Sequence, residues 1–473
     1  MRCRVQSVTN TTSVPSSVRP FAFIENRKTE GAHKMESHIE QTDVVVVGGG
    51  LAGLSVACYL ARTGISVTLF EKAAGLGGRA TTQNYGEYRF NRGIHALYTG
   101  GAAWEVLQEL GITYNGHSPK DVFLLRRGKL HIAPYDALTM LRTDVMGVAD
   151  KLELARLLAT IPHLKAHELR GVSVQEWLER NTRRPLVRQF LTAFAWTYVY
   201  STALDIISAE VLITKMQITF KHPVLYIDGG WQALVDGLHQ AAEQAGVRIM
   251  SGIRVEAIDH QDDRVQGVCL RGGDIVRASA VIIATAPQDA AKLVDAGSYQ
   301  PLRQIVDALM PAQVACLDVA LSRLPDPHHP VVQDLEGPRF MSTQSLYSRI
   351  APQGGALIHT FKQLDPRHLV DSHEDERDLE DLLDTVQPGW RDVLVKRVFM
   401  PHIDAIGMVP TASGGGYAGR PGPLVTGLTN LYLVGDWIGE GFLSDASMGS
   451  ARQVAQLLLR DDSLFMGKKV AIG

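Results

Sequence analysis

The sequence predicts a mixed α/β fold with a parallel sheet, and three separated stretches of chain support the prediction. The first is a strand–glycine–helix–strand unit at 43–71, which opens on an acid followed by four valines. The second, at 226–284, combines helical spacing at Trp231–Ala245 with strand-like spacing and a buried strand at Val281–Ala284, and the third, at 430–459, runs from a strand through glycines into a helix at Ala446–Leu459. β-branched runs without alternation are typical of parallel strands buried on both faces, which favours helices packed against such a sheet.

The composition is that of an ordinary globular protein and excludes several function classes. The chain has 473 residues, 45% of them hydrophobic and 21% charged, and its formal net charge of −3 argues against a nucleic-acid partner. The four cysteines form no CxxC pair, which argues against a disulfide framework or a metal site. The sequence has no run of about 18 apolar residues free of glycine and charge, so it predicts no transmembrane helix. We expect a cytoplasmic protein with a small-molecule partner; attachment to a membrane surface and the oligomeric state are left open.

Residues 1–40 differ from the rest and are excluded from the fold prediction. The first 20 residues are rich in Ser, Thr, Val and Arg, lack acidic residues and lack the apolar core of a secretory signal. A disordered leader, an organelle transit peptide and an overextended start with Met35 as the true beginning all fit this composition.

The glycine pattern of the first unit predicts a dinucleotide site. Gly48, Gly50 and Gly53 form a G-x-G-x-x-G motif between the first strand and a helix predicted at Leu51–Arg62. These glycines permit a tight turn, close approach of backbone to a pyrophosphate, and close helix–strand packing. Glu71 ends the second strand, at the distance where an acid accepts hydrogen bonds from the adenosine ribose and repels a 2′-phosphate.

The loop after Glu71 distinguishes between flavin and nicotinamide dinucleotides. Gly77 and Gly78 are followed by Arg79, whose guanidinium suits pyrophosphate oxygens. Here the chain resembles the flavin amine oxidase and phytoene desaturase superfamily. The residues that match the fingerprint of that superfamily are Gly48, Gly50, Gly53, Ala57, Leu60, Gly64, Val67, Glu71, Gly77, Gly78, Arg79 and Thr82. The resemblance implies FAD as cofactor and a GR2-type, discontinuous Rossmann-like FAD-binding domain with an inserted α+β substrate domain.

By this resemblance the chain divides into alternating segments. FAD-binding segments are expected at 41–124, 223–299 and 405–462, a mostly helical insertion at 125–222, a substrate segment with strands at 300–404 and a tail at 463–473. The expected cofactor-binding residues are Gly48, Gly50, Leu51, Ala52, Gly53, Glu71, Lys72, Gly78, Arg79, Val255, Gly435 and Asp436. Val255 is expected to contact adenine through its backbone, and Asp436 the ribityl chain or pyrophosphate. The helix predicted at Ala446–Leu459 is expected to direct its N-terminus at the flavin pyrimidine. The alternative role for Asp436 is a helix N-cap.

No catalytic residue is assigned from the sequence, because a flavin supplies the chemistry itself. His95 is a candidate for contact with flavin or substrate, because the matching segment of the family passes the flavin ring; a packed structural histidine is the alternative. Lys362 invites comparison with the lysine near the flavin of many amine oxidases, although nothing in its spacing requires that role.

Three functions fit the sequence to different degrees. Removal of hydride from an apolar, carotenoid-like substrate comes first, and the aromatic stretch FAWTYVY (Phe194–Tyr200) suits an apolar pocket or an ordinary helix core. Amine oxidation comes second. Amine oxidases of the resembling family usually have an aromatic residue shortly before the last FAD segment, but here the only tyrosine nearby, Tyr417, lies in a glycine loop. The third is a non-catalytic lipid-binding protein, since Rab escort and dissociation-inhibitor proteins resemble this fold.

Overall fold

The computed structural model describes residues 41–368 and 371–461; the predicted leader and tail lie outside them. The strands are β1 Thr42–Val47, β2 Val67–Glu71, β3 Thr82–Tyr85, β4 Tyr88–Asn91, β5 Leu97–Tyr98, β6 Gly116–His117, β7 Val122–Arg126, β8 Lys129–Ile132, β9 Val224–Ile227, β10 Arg248–Ser251, β11 Val255–Gln261, β12 Arg264–Leu270, β13 Ile275–Ile283, β14 Ala312–Leu321, β15 Val331–Asp334, β16 Arg339–Ser342, β17 Ala356–Gln363, β18 Leu394–Ile406 and β19 Leu431–Leu433. The helices are α1 Leu51–Ala61, α2 Ala102–Glu109, α3 Ala137–Arg142, α4 Val148–Thr160, α5 Val174–Asn181, α6 Pro185–Val199, α7 Ala209–Lys221, α8 Gln232–Gln244, α9 Pro287–Leu293, α10 Gln300–Asp307, α11 Ser372–Val386 and α12 Ser444–Arg460.

The first sheet gathers strands from all three predicted FAD segments. Its parallel part runs in the order β10-β2-β1-β13-β19. The valines of β1 are buried, as expected of a central parallel strand. Helices α1, α8 and α12 begin and end within two residues of the bounds predicted from apolar spacing. Their apolar faces share one core with the sheet.

Strand β13 is longer than the sequence indicates and serves two neighbours on one side. Its first half pairs antiparallel with β12, which continues into β11. Its second half pairs in parallel with β1 on one side and β19 on the other. The alternating residues before Val281, where the buried strand was predicted to begin, therefore belong to the same strand.

The second sheet carries the predicted substrate segments, here called the substrate side, and runs in the order β18-β14-β17-β16-β15-β7-β8. The hairpin β7–β8 comes from the insertion predicted to be mostly helical, and β7 crosses the predicted boundary between 124 and 125. Arg127 and Gly128 both have positive φ, as a tight two-residue hairpin requires. Apolar alternation on both sides of this Arg-Gly pair was the missed signal. β7 then pairs in parallel with β15, far along the chain.

Two further cores stabilise the substrate side. Helices α4 to α7 pack on one face of the second sheet, and α11 packs on the other. Within residues 41–368 and 371–461, no helix has the length and apolar character needed to cross a bilayer.

Candidate functional site

The glycine loop between β1 and α1 is sterically fixed at two positions. Gly48 has φ of +114°, and a Cβ there would lie 2.6 Å from the Ala284 carbonyl oxygen. A Cβ on Gly53 would lie 1.9 Å from the Gly48 carbonyl oxygen. Both distances are too short for any side chain, so these two glycines allow the helix to pack against the strands.

Gly50 shows the opposite property, since its surroundings are open. A Cβ on Gly50 would approach only the Gly77 carbonyl oxygen, at 3.9 Å, and one on Gly78 only Gly50 Cα, also at 3.9 Å. The N-terminus of α1 opens at this space without a side-chain cap and without an acidic residue in its first turn. Free amides and the positive end of the helix dipole favour an anion there, so this cradle fits the pyrophosphate of FAD. Leu51 and Ala52, both nearly buried, supply the first amides of the helix.

The acid at the end of β2 lies beside this cradle. Glu71 accepts hydrogen bonds from the amides of Gly49 and Ala73, each at 2.8 Å. The carboxylate is thereby fixed at the edge of the glycine loop, where the adenosine ribose was predicted. Lys72 points elsewhere: its ammonium lies 2.6 Å from Asp289, and both side chains are about half exposed.

Arg79 and Asp436, predicted separately as cofactor contacts, form one ion pair. The guanidinium Nη1 lies 2.8 Å from Oδ2 of Asp436, and Nη2 lies 2.5 Å from Oδ1. The Gly407 amide also donates to Asp436, at 2.7 Å. Burial favours the neutral carboxyl, but Arg79 and this amide outweigh it and lower the pKa of Asp436 below its ordinary value. Asp436 is buried while 46% of the Arg79 side chain is exposed, so the pair presents its positive member outward.

Arg420 was missed by the sequence analysis and fixes the loop that carries Asp436. Its guanidinium donates to the carbonyl oxygens of Gly441 and Asp436. Burial lowers its pKa to about 10, which leaves it cationic at neutral pH. Gly435, just before Asp436, donates its amide to Ser450 Oγ of α12 at 3.0 Å. The loop is thus tied at both ends, but an isolated arginine among glycines and prolines gives no periodic signal.

A polar link between the first and second FAD segments was also missed. Asn91 Oδ1 accepts from Thr82 Oγ1 at 2.8 Å and from the Trp231 amide at 3.0 Å. Thr82 Oγ1 in turn accepts from the Gln232 amide at 3.0 Å. These bonds set the start of α8 against β3 and β4, and they place Trp231 beside the Arg79 loop. Its indole Nε1 is buried without a partner among the described residues, which leaves one donor for a ligand.

A buried ion pair holds the N-terminus of α12, which was predicted to face the flavin pyrimidine. Asp445 Oδ2 accepts from Lys215 of α7 at 3.2 Å, and its Oδ1 accepts from the Ala103 amide of α2 at 3.0 Å. The Lys215 ammonium also lies 3.8 Å from the centre of the Tyr98 ring. Since both carboxylate oxygens are occupied and Lys215 offsets their charge, Asp445 does not cancel the positive end of the helix dipole.

This ion pair borders a cavity of about 650 Å³ between α2, α7, α12 and the loop before α12. Tyr417 and Phe442 also line this cavity, and both are nearly buried. Tyr417 therefore packs inside the protein although its sequence context is a glycine loop.

His95 lies against Trp231, with ring centroids 4.8 Å apart, and its Nδ1 is 2.9 Å from the Gly93 carbonyl oxygen. Burial lowers the pKa of His95 to about 4, and the nearby His359 and Arg79 act in the same direction. The ring is therefore neutral at pH 7, with Nδ1 assigned as the donor to Gly93. The structure brings His95 to the Arg79 loop, next to the predicted flavin position.

The remaining predicted residues, Lys362 and Val255, make their contacts in other parts of the structure than the Arg79 loop. Lys362 lies on β17 with Nζ 2.8 Å from Asp375 and 2.5 Å from Asp378, both in α11. Val255 begins β11, is nearly buried and pairs with Leu270. The backbone contact with adenine predicted for Val255 stays a prediction.

Aromatic side chains from β5, β9 and β17 and from the end of α6 are buried and uncharged. Burial raises the pKa of Tyr98 and Tyr200, and Tyr200 stacks on Phe361 with centroids 5.7 Å apart. Tyr226 accepts from Ser342 at 3.0 Å. Burial raises the pKa of Tyr226 to about 12, so its phenol stays neutral. We call Tyr98, Tyr200, Tyr226 and Phe361 the aromatic wall; only its Tyr200 comes from the aromatic stretch noticed in the sequence.

A solved structure with the same architecture supports the fold class. An oxidoreductase from Methanosarcina mazei matches with a TM-score of 0.72 and 19% identity, over 88% of this chain and 100% of that one. At this identity the match shows the fold alone.

Two curated relatives match about half of the chain. A 4,4′-diaponeurosporene oxygenase of Staphylococcus aureus is 25% identical over 280 residues, which are 50% of this chain and 54% of the relative. A carotenoid 3,4-desaturase of Haloarcula japonica is 25% identical over 271 residues, which are 48% and 52%. The chain thus spans about half the length of the curated relatives that it matches.

The family comparison covers nearly all of the described chain. Residues 51–459 match the model for flavin-containing amine oxidoreductases. The match confirms the predicted family, its α/β fold, FAD as cofactor and an oxidoreductase as the class of enzyme. With its glycine cradle intact, the chain belongs to the flavin-containing amine oxidoreductase family.

Proposed function

We propose that this protein uses FAD to remove hydride from an apolar, polyene-like substrate. The aromatic wall carries the proposal: it is buried, and burial raises the pKa of its three tyrosines and keeps them neutral, which suits an uncharged, extended substrate. Two relatives whose names describe reactions of carotenoids support the same substrate class.

Each side chain of the site has a separate role in this proposal. The cradle at Gly50 and the helix N-terminus hold the pyrophosphate, Glu71 holds the ribose, and Arg79 with Asp436 orients the middle of FAD. FAD, when bound, supplies the two-electron oxidation. His95 stays neutral and packs beside Trp231, so it adds no charge, and its Nδ1 proton is held by the Gly93 carbonyl oxygen. The aromatic wall excludes water from the reacting carbon.

Amine oxidation is the second candidate, because Tyr417 is buried beside Phe442 as an aromatic contact for an amine requires. Two contacts weigh against it. The face of Tyr98 is already covered by the Lys215 ammonium, and Lys362 is held by two aspartates of α11. A non-catalytic lipid-binding role is weaker still, because Glu71, Arg79 and Asp436 are all present and placed together around the cradle.

Anaerobic titration of the flavin tests the proposal. The purified protein should be yellow, and a polyene in detergent should bleach it, while amines and porphyrinogens should leave the colour unchanged. Bleaching by an amine alone would favour the second candidate. A colourless protein that takes up no FAD on reconstitution and still binds lipid would favour the non-catalytic role. Asp436→Ala serves as the control variant, since it should lose FAD and with it any bleaching.

A further inference from the structure

The helices α3 and α4 expose an unusual amount of apolar surface. Among the described residues, the four most exposed large hydrophobic side chains, together with the half-exposed Tyr135, lie within 18 positions of this segment. They are Tyr135 (49% exposed), Leu138 (63%), Leu141 (78%), Val148 (76%) and Leu152 (68%). We call these five residues the α3–α4 surface. Contiguous exposed apolar side chains on a folded protein usually mark a contact site.

The exposure is built into the local structure. Asp136 caps α3 and accepts from the Thr139 amide at 2.7 Å, with the reciprocal bond from Asp136 back to Thr139. At the other end, Lys151 of α4 donates to the carbonyl oxygens of Leu141 and Thr143, at 3.1 and 2.7 Å. No residue of α3 is buried, although the helix is held at both ends. The apolar side chains therefore point outward from a fixed backbone.

Positive charge lies at the end of each apolar row. Arg142 follows Leu138 by four positions, and Arg156 follows Val148 and Leu152 at the same spacing, so each arginine continues its row along the helix. Both arginines are exposed, and neither has an ion-pair partner within the part of the chain that the structure describes.

The acids of α4 and of the turn before it are bonded to groups outside the α3–α4 surface. Asp150 pairs with Arg184 and is nearly buried. Glu153 accepts from the amides of Arg183 and Arg184, at 2.8 and 3.1 Å, and Asp144 lies 2.7 Å from His131. Asp136 and Asp144 are exposed but engaged, Asp136 by Thr139 and Asp144 by His131, whereas Arg142 and Arg156 have no such partner among the described residues.

We propose that the α3–α4 surface docks on an anionic phospholipid bilayer. The leucines, valine and tyrosine enter the boundary between headgroups and acyl chains, and Arg142 and Arg156 contact lipid phosphates, as long basic side chains do at interfaces. The inference rests on the proposed function for its purpose, since a polyene substrate dissolves in a bilayer. Vesicle binding is measured without substrate, so the two proposals fail independently.

Flotation of full-length holoprotein with vesicles tests the docking. The vesicles are phosphatidylcholine alone, or phosphatidylcholine with phosphatidylglycerol. We expect binding to the anionic vesicles that weakens with salt. Leu141→Ser/Leu152→Ser should lower the affinity about tenfold or more, because each change removes an apolar side chain from the contact. Leu424→Ser is the matched control, since Leu424 is 61% exposed elsewhere, and it should bind as wild type does.

The charge part has its own variant. Arg142→Gln/Arg156→Gln should lose the salt-dependent part of binding and retain the weak binding to neutral vesicles. Unchanged flavin content and unfolding temperature in each variant exclude misfolding as the cause. Equal flotation of wild type and the leucine variant would overturn the proposal, as would no flotation of wild type. A fall in molar mass by light scattering in the leucine variant, with no vesicle binding by wild type, would instead assign the surface to a second copy of this chain.

Discussion

Asp436 on the cofactor side and Asp318 on the substrate side are both buried, but their pKa values shift in opposite directions. On the cofactor side, Asp436 is bonded to Arg79 and to a backbone amide, and its pKa is lowered. On the substrate side, Asp318 of β14 lies 2.9 Å from His359 of β17, both side chains fully buried. There burial raises the pKa of Asp318, with His359 opposing only in part. Asp436 therefore stays charged, whereas burial favours the neutral form of Asp318.

The strongest test of the cofactor side is steric. Gly53→Ala should destabilise the apoprotein by about 3 kcal/mol or more, because the new Cβ meets a backbone oxygen that cannot move freely. Gly50→Ala, the matched change, should alter the free energy of unfolding by less than about 1 kcal/mol but abolish FAD retention, because its Cβ enters the cradle. Urea unfolding and flavin absorbance measure the two effects. FAD retention by Gly50→Ala would contradict the position of the pyrophosphate.

The junction between the two sides depends on a buried charge pair. Lys215→Met should cost about 3 kcal/mol, since it leaves Asp445 buried and uncompensated. Adding Asp445→Asn should restore part of that stability, because the remaining partner is then neutral. Thermal unfolding of the single and double variants measures this coupling. Strictly additive losses would show that the pair is not coupled.

The ion pair of Asp436 predicts a dependence on acid. Asp436→Asn should cost about 2 kcal/mol at pH 7, a value discounted because Arg79 is partly exposed. A lowered folded-state pKa gives stability that is present above the unfolded pKa, about 4, and is lost as pH falls through the folded value. The variant should lack this acid-induced loss. Parallel pH profiles of unfolding for both proteins would rule the ion pair out as its source.

Glu71 tests the edge of the cradle with a smaller effect. Glu71→Ala removes the acceptor for two amides and should cost about 1 kcal/mol of stability, with FAD affinity weakened about tenfold. Glu71→Gln keeps one carbonyl acceptor, so its stability and FAD affinity should lie between those of wild type and Glu71→Ala. Calorimetric titration of the apoproteins with FAD measures the affinity. Wild-type affinity in Glu71→Ala would remove the ribose role.

The smallest expected effect concerns the buried Asp318. Because the pKa of Asp318 is raised on folding, its contribution is complete below about pH 4 and is lost as pH rises through the folded value. The variant Asp318→Asn has no carboxyl to titrate at this position. As pH rises, wild type should lose stability relative to this variant, by about 1 kcal/mol or less. Its pH response is opposite in sign to that of Asp436→Asn, so the two variants control for each other. Unfolding curves across the pH range decide the sign.

The sequence predicts the cofactor side better than the substrate side because of chain distance. The unit from β1 to β2 is fixed by neighbours within about one βαβ length, so glycine spacing and apolar periodicity suffice. The Arg79–Asp436 pair joins residues 357 positions apart, and no local pattern announces the pairing. The same holds for β7 beside β15, and for the buried charges of Lys215 and Arg420. Their positions follow from packing between segments, which a single sequence does not display.

The shared strand β13 is completed late in synthesis, because one of its neighbours, β19, comes from the third FAD segment. While the ribosome has not yet released the third segment, Val281–Ile283 has β1 on one side and an open edge on the other. An apolar edge of that kind pairs readily with foreign chains. Pairing with Leu431–Leu433 covers this edge. A chain truncated before Leu431 should therefore aggregate rather than form a smaller working protein.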